Sequence, residues 1–204
     1  MNSLILSKTY KGQPFCKKEI LRYAGCKEAD SETLVLLKNA IDEVESKLEY
    51  KVCYRELQLE INSDCCDFGI FSLESKNLAI NLNGCDRAIV FAATIGVEID
   101  RLIVKYGHIS PAKTLVLQAI GAERIESLCD EFCADIKAEC EVELKPRFSP
   151  GYGDLPLESQ KELFKILTPE KHIGLTLTDS LLMSPSKSVT AIVGLCEKNV
   201  KNAR

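Results

Sequence analysis

Nothing in the 204-residue chain reads as a membrane span or an export signal. No apolar run reaches the roughly 18 residues a spanning helix needs, and Met1 to Tyr10 lacks a basic start, a sustained apolar stretch and a small-residue cleavage site. A soluble, cytoplasmic protein without membrane contact is the expectation. Long basic runs are also missing, and 26 Lys plus Arg stand against 30 Asp plus Glu for a formal charge of −4. No phosphate backbone, and so no nucleic acid, is expected as a partner. No G-x-G-x-x-G follows a strand pattern and no P-loop occurs, which excludes the common glycine cradles for nucleotide phosphates. The ten cysteines contain no Cys-x-x-Cys pair. Neither the vicinal Cys65-Cys66 nor the Cys129/Cys133 pair has metal-ligand spacing, so no metal is expected. Low-complexity tracts and repeats of 20 to 50 residues are absent, which excludes a solenoid.

What is present is the composition of an ordinary globular protein, 46% hydrophobic and 27% charged. That is enough apolar surface to offset chain entropy over one domain without disulfide staples. The cysteines are accordingly read as reduced thiols, with Cys129 and Cys133 as small apolar filler on a buried helix face. Cys65 and Cys66 sit in a turn-like segment, where they could be exposed. No neighbour that would lower their pKa is visible.

The hydrophobic spacing alternates between the helical and the strand period. A short helix is expected from Cys16 to Tyr23, closed by Gly25, and a longer amphipathic one opens at Ser31 with Leu34, Leu37, Ile41, Val44 and Leu48 on its apolar stripe. Tyr50 to Ile61 alternates as a half-exposed strand does. A helix from Ser75 to Gly84, a buried strand over Arg87 to Ala93 and a helix from Val97 to Tyr106 follow. A long helix then runs from about Lys113 to Ala138, with Ile125, Leu128, Cys129, Phe132, Cys133 and Ile136 as its buried stripe. Its Glu123, Arg124, Glu126, Asp130 and Asp135 mark the other faces. Strands are expected over Cys140 to Phe148, Ile173 to Leu177 and Val189 to Leu195, with a helix from Leu157 to Leu167. The pattern predicts an α+β fold, a mostly antiparallel sheet packed with long amphipathic helices.

The segment richest in turn formers is Ser149-Pro-Gly-Tyr-Gly-Asp-Leu-Pro156. Loops of this kind, leaving a strand with glycines and a fixed aromatic, let backbone approach a ligand closely. Arg147 ahead of it offers a planar, two-pronged donor suited to a carboxylate, and Tyr152 offers a ring face or a hydroxyl. The same residues also make an ordinary surface turn, with Pro150-Gly151 in type II geometry, Arg147 paired to a surface acid and Tyr152 packed on the core. Composition and spacing leave both readings open.

The string Arg147-Phe-Ser-Pro-Gly151-Tyr152 contains R-x-x-x-G-Y and resembles the S-adenosylmethionine-binding signature of the activation domain of cobalamin-dependent methionine synthase. Phe91-Ala-Ala-Thr-Ile-Gly96, Gln118-Ala-Ile-Gly-Ala122 and Leu177-Thr-Asp-Ser-Leu-Leu-Met183 followed by Ser188-Val189 resemble that family's other shared stretches, in the same order. Residues 71–204 therefore look like the activation-domain core, while residues 1–70, the N-terminal helices and first strand, match only loosely; one compact domain is expected overall.

The resemblance implies a module that binds S-adenosylmethionine while cobalamin on a separate corrinoid protein is reductively remethylated, with reduced flavodoxin or a ferredoxin-type protein as electron donor. It assigns Arg147 to the ligand carboxylate, Gly151 to the turn, Tyr152 to the wall near the sulfonium, and Glu131, by ungapped placement, to the amino group. Ser188 belongs with Ser180 and Ser184 in a second turn-rich segment beside the same pocket. Cobalamin's imidazole ligand belongs to another domain in the family, so His108 and His172 are expected to be structural or exposed. The family's aromatic residues after the final serine-valine stretch are replaced by Ile192 and Val193. The homocysteine, folate and cobalamin modules of the full enzyme do not fit within the chain, so it is expected to be one component of a split cobalamin-dependent methyltransferase. A scaffold subunit that has lost the pocket is the competing reading; a self-contained small-molecule methyltransferase is disfavoured because no base is recognisable.

Overall fold

The computed structural model describes residues 4–197. In chain order the elements are β1 (Leu6–Tyr10), α1 (Lys17–Tyr23), α2 (Ser31–Val44), β2 (Tyr50–Gln58), β3 (Glu60–Asn62), β4 (Cys65–Asp67), β5 (Ser72–Glu74), α3 (Lys76–Leu82), β6 (Arg87–Thr94), α4 (Glu98–Tyr106), α5 (Pro111–Cys140), β7 (Glu143–Leu144), α6 (Gln160–Leu167), α7 (Pro169–His172), β8 (Thr176–Leu177), β9 (Met183–Ser184) and β10 (Ser188–Cys196). The fold is α+β, and its main sheet is five-stranded in the order β1-β2-β6-β10-β7. Every pairing in it is antiparallel.

Strand β6 explains the layering. Its side chains alternate between two separate cores: Ile89, Phe91 and Ala93 face one, and Ala88, Val90 and Ala92 face the other. With both faces covered, the strand has no polar position to spare, and it reads as a continuous apolar run. Helices α1, α2, α4 and α5 pack into the first core and α3 and α6 into the second. In the first, Phe132 of α5 stands with its ring 4.9 Å from that of Phe91 and 5.2 Å from that of Tyr54.

Several expectations from the sequence are corrected. Leu6–Tyr10 is an edge strand, because β2 supplies its hydrogen-bond partners; no local pattern marks it. Tyr50–Gln58 is largely buried rather than half-exposed, since its alternate residues enter the two cores. The cap of α2 is Asp30, whose carboxylate accepts from Thr33 N at 2.8 Å, so Ser31 is its first helical residue. Cys66 lies on β4, fully buried, and burial pushes its thiol up to about 11. The expected strands at Cys140–Phe148 and Ile173–Leu177 contract to the short β7 and β8.

Glu123 and Arg124 are buried, not on a solvent face. Arg124 donates to Glu123 and to the carbonyl oxygens of Gln13 and Pro14, while Glu123 accepts from Cys16 N at 3.2 Å. A buried charge persists only when paired and hydrogen-bonded, and this pair ties the segment before α1 onto α5. Cys85 and Cys196 are joined as a disulfide, contrary to the all-thiol expectation. Antiparallel pairing of β10 with β6 brings the end of the last strand beside the α3–β6 turn, a proximity that a separation of 111 residues conceals.

Candidate functional site

The glycine-rich loop starts from a pinned point. Phe148 exchanges backbone hydrogen bonds with Ile192 of β10 at 2.9 and 2.8 Å. Tyr152 N then donates to Ser149 O at 3.1 Å, closing a turn with Pro150 second and Gly151 third at φ +90°, the position of a type II turn that glycine satisfies without strain. Asp154 holds the far side. Its carboxylate accepts from Ser75 Oγ, from Lys76 N at 2.9 Å and from Asn77 N at 3.2 Å, so it caps α3 from outside that helix. The approach is close enough that a Cβ on Gly153 would collide with Asn77.

Arg147 precedes Phe148 and reaches α5. Its Nη2 lies 2.8 Å from Glu126 Oε2 and its Nη1 donates to Asp130, acids one helical turn apart. Partial burial is the largest influence and works against the guanidinium's charge, but the hydrogen bond it donates to Asp130 and the surrounding charges together outweigh that burial, and the group stays firmly cationic. Cys129 and Cys133 lie beside it with thiols raised by burial, so neither is an activated nucleophile.

Arg147, Glu126 and Tyr152 line one groove of about 660 Å³, walled by Pro150, Leu157, Leu182 and Met183 and reaching Ser186 and Ser188. Tyr152 is 68% exposed, so its ring projects from the rim instead of packing on the core. Ser188 is buried, and its hydroxyl is spent within the fold, at 2.8 Å from both Thr94 Oγ1 and Pro185 O. Gly151 shapes the turn without lining the groove. Ser180 and Ser184 are not on it, whereas Ser186 is, held through its N–H and hydroxyl by Asp100.

Glu131 is not brought to this groove. It accepts from Gln13 Nε2 at 2.8 Å and lines the neighbouring cleft between α1 and α5. On a helix, five residues beyond Glu126 is about 140° around the axis, so Glu126 faces Arg147 and Glu131 turns away. Ile192 and Val193 are core residues on opposite faces of β10 and do not line this groove. Sequence reasoning also missed Gln160, 3% exposed at the start of α6, which lines the groove and whose buried Nε2 has no hydrogen-bond partner among the described residues. Nothing in its spacing marks it out.

A larger cleft, about 1030 Å³, opens near Leu4, Tyr54 and Ile70. No signature residue lies on it, so volume alone does not mark the site. Among the described residues no three His, Cys, Asp or Glu side chains are grouped to hold a metal, and no helix is long and apolar enough to cross a membrane.

Residues 144–200 match the family model described as vitamin B12 dependent methionine synthase, activation domain. No curated protein sequence matches the chain. Among solved structures, the crystal structure of the MetH reactivation domain bound to AdoHcy shares the fold with a TM-score of 0.67 at 15% identity, over 93% of this chain and 78% of that one. The likeness of fold thus extends into the first 70 residues, where the sequence matched only loosely. Sequence pattern over the C-terminal segment and fold over nearly the whole chain agree on the activation domain of vitamin B12-dependent methionine synthase as the family that this chain resembles.

Proposed function

We propose that the chain binds S-adenosylmethionine in the groove of Arg147 and supports reductive reactivation of cobalamin carried by a corrinoid protein, in a split methionine synthase or a related corrinoid methyltransferase. The observation that carries this reading is the pairing of Arg147 with Glu126 on the groove wall, one donor fork and one carboxylate 2.8 Å apart. A zwitterionic amino acid presents the complementary pair, a carboxylate for the arginine and an ammonium for the glutamate. Pro150, Leu157, Leu182 and Met183 offer apolar walls to the rest of such a ligand, and the exposed ring of Tyr152 offers a π face to a sulfonium.

The reduced corrinoid of the partner supplies the nucleophile that takes the methyl group, so the residues of this chain need only bind and orient. That division of labour suits a groove without an activated thiol or an adjacent general base. Tyr152, on the rim, is where an approaching partner would meet the ligand. Reduced flavodoxin or a ferredoxin-type protein is the proposed electron source.

Titration calorimetry of S-adenosylmethionine against the chain and its Arg147→Ala variant tests the proposal. Saturable binding weakened about a hundredfold by the substitution, the scale of a lost charge-assisted clamp, is the expected result. Absence of binding to the parent chain, even with a corrinoid protein present, would leave a scaffold with this fold and no pocket function.

A further inference from the structure

Cys85 and Cys196 stand apart from the other cysteines, which are free thiols ranging from the exposed Cys16 to the fully buried Cys53 and Cys129. A single bond among so many free thiols is unlike a disulfide scaffold, and two packed cores leave no need for a staple. Both bonded residues line a surface cleft of about 750 Å³, with Asn83, Asp86, Lys145 and Glu197 around them, and Cys196 is part-exposed. A small thiol therefore has access to the pair.

The bond also closes the end of the ladder that holds Arg147. Pairing of β10 with β6 stops at Leu195 opposite Arg87, one residue short of Cys196. On its other side this end of β10 meets only the two-residue β7, with Cys196 opposite Glu143 and Leu195 opposite Leu144. The chain after β7 continues along β10: Lys145 N donates to Gly194 O at 3.0 Å and Phe148 N to Ile192 O at 2.9 Å. Arg147 lies between those two anchors. Pairings this short at a sheet edge open readily unless something outside the ladder ties them, and the tie here is covalent.

We propose that the Cys85–Cys196 bond is a reversible thiol–disulfide latch, opened by small-molecule thiols, whose state sets how firmly residues 145–148, and with them Arg147, are held against β10. Opening takes two thiols. The thiolate of the first attacks one sulfur, which breaks the Cys85–Cys196 bond and forms a mixed disulfide, while the other cysteine leaves as a thiolate and takes up a proton. The second attacks the mixed disulfide, frees the remaining protein thiol and forms the small-molecule disulfide. The protein gains the two electrons that the thiols lose, and closure is the reverse reaction with that disulfide as oxidant. The latch acts on the backbone around Arg147 whatever ligand the groove takes, so its test needs no S-adenosylmethionine.

The full chain is equilibrated in glutathione mixtures of graded reduced-to-oxidised ratio, quenched by alkylation and read by mass spectrometry. Cys85 and Cys196 are expected to pass together from bonded to free within the series, while Cys53 and Cys129 stay thiols throughout. A bond intact in the most reducing mixture would make the pair a permanent tie, and no bond in the most oxidising one would remove the latch; either result overturns the proposal.

Hydrogen exchange on the reduced and oxidised parent then reads the coupling. Reduction should speed exchange at the amides of Lys145, Phe148 and Ile192 by about 30-fold, the low end of what a bond closing a long loop contributes. Cys196→Ser should exchange at the fast rate with or without reductant. The parent's own reduced form carries the same readout, so the result stands even if the variant folds poorly. Equal rates in the two states of the parent would show that the bond opens without reaching Arg147, and the latch would fail while the proposed function stood.

Discussion

Arg147 Nη2 and Glu126 Oε2 stand 2.8 Å apart on the wall of one groove, one from the segment that leads into the turn and one from the long helix α5. If that pair receives the two charges of an amino acid, its halves must act on different groups of the ligand. Glu126→Gln should therefore weaken S-adenosylmethionine about 10-fold, the scale of one charge-assisted hydrogen bond. An analogue lacking the ammonium should bind the variant and the parent alike. Calorimetry with both ligands checks this; equal losses for the two would place the ammonium elsewhere.

Asp154 caps α3 from a distant part of the chain, and its carboxyl is held below the usual range, first by the Ser75 hydroxyl and then by the backbone N–H groups of Asn77 and Lys76. A carboxyl depressed in the folded state contributes stability above its unfolded pKa and loses it as the pH falls through the folded value. Asp154→Ala should lower the thermal midpoint at neutral pH and speed amide exchange at Gly151 and Leu155, read by hydrogen-exchange mass spectrometry. Faster exchange confined to α3 would show that the loop is held by other contacts.

Glu43 joins three helices. It accepts from Lys105 and Lys113 and, at 3.0 Å, from Tyr106 Oη. The bond from Lys113 leads in holding its carboxyl at about 2. The stability this contributes is complete above the unfolded value near 4.5 and declines as the pH falls from there toward about 2. Thermal melts between those limits should show a slope for the parent that Glu43→Gln flattens, with a cost on the order of 2 kcal/mol at neutral pH. Parallel curves for the two proteins would count against the network.

Lys187 lies across α5 at Gly121, where an added Cβ would come within 2.8 Å of its side-chain carbons. Burial lowers its pKa, so the folded state pays for the charged form below that pKa and is relieved as the pH rises toward the unfolded value of 10.5. Lys187→Met should raise stability at neutral pH by on the order of 1 kcal/mol, the usual scale for relieving a half-buried polar group. The gain should shrink toward pH 10.5, and urea titrations across that range would measure it. A loss of stability at every pH would assign the lysine a packing role through its stem instead.

The legible part of the site was local. R-x-x-x-G-Y is contiguous, and its turn follows from Pro150 and Gly151 alone, because proline fixes its φ and glycine accepts the positive φ of the next position wherever they stand. The partners of the turn were not legible. Glu126 and Asp130 meet Arg147 only because the bridge between Phe148 and Ile192 sets the loop beside α5, while Glu131, chosen by ungapped placement, faces the neighbouring cleft. Gln160 carried no sequence signal at all, since only folding buries it on the groove wall. The surface reading of Glu123 and Arg124 failed for the reverse reason: two charges that look solvated in sequence bury each other when a loop 110 residues away supplies backbone acceptors.

The periods of the helices and strands, the α+β class, the glycine turn and the family that its stretches resemble all depend on residues near one another in the chain and are written in their order. The sequence of strands across the sheet, the burial of β2 on both faces, the bonding of Cys85 to Cys196 and the membership of the groove emerge on folding. Each of those is set by packing between distant segments, where one residue's neighbours are chosen by the register of a sheet and the rotation of a helix.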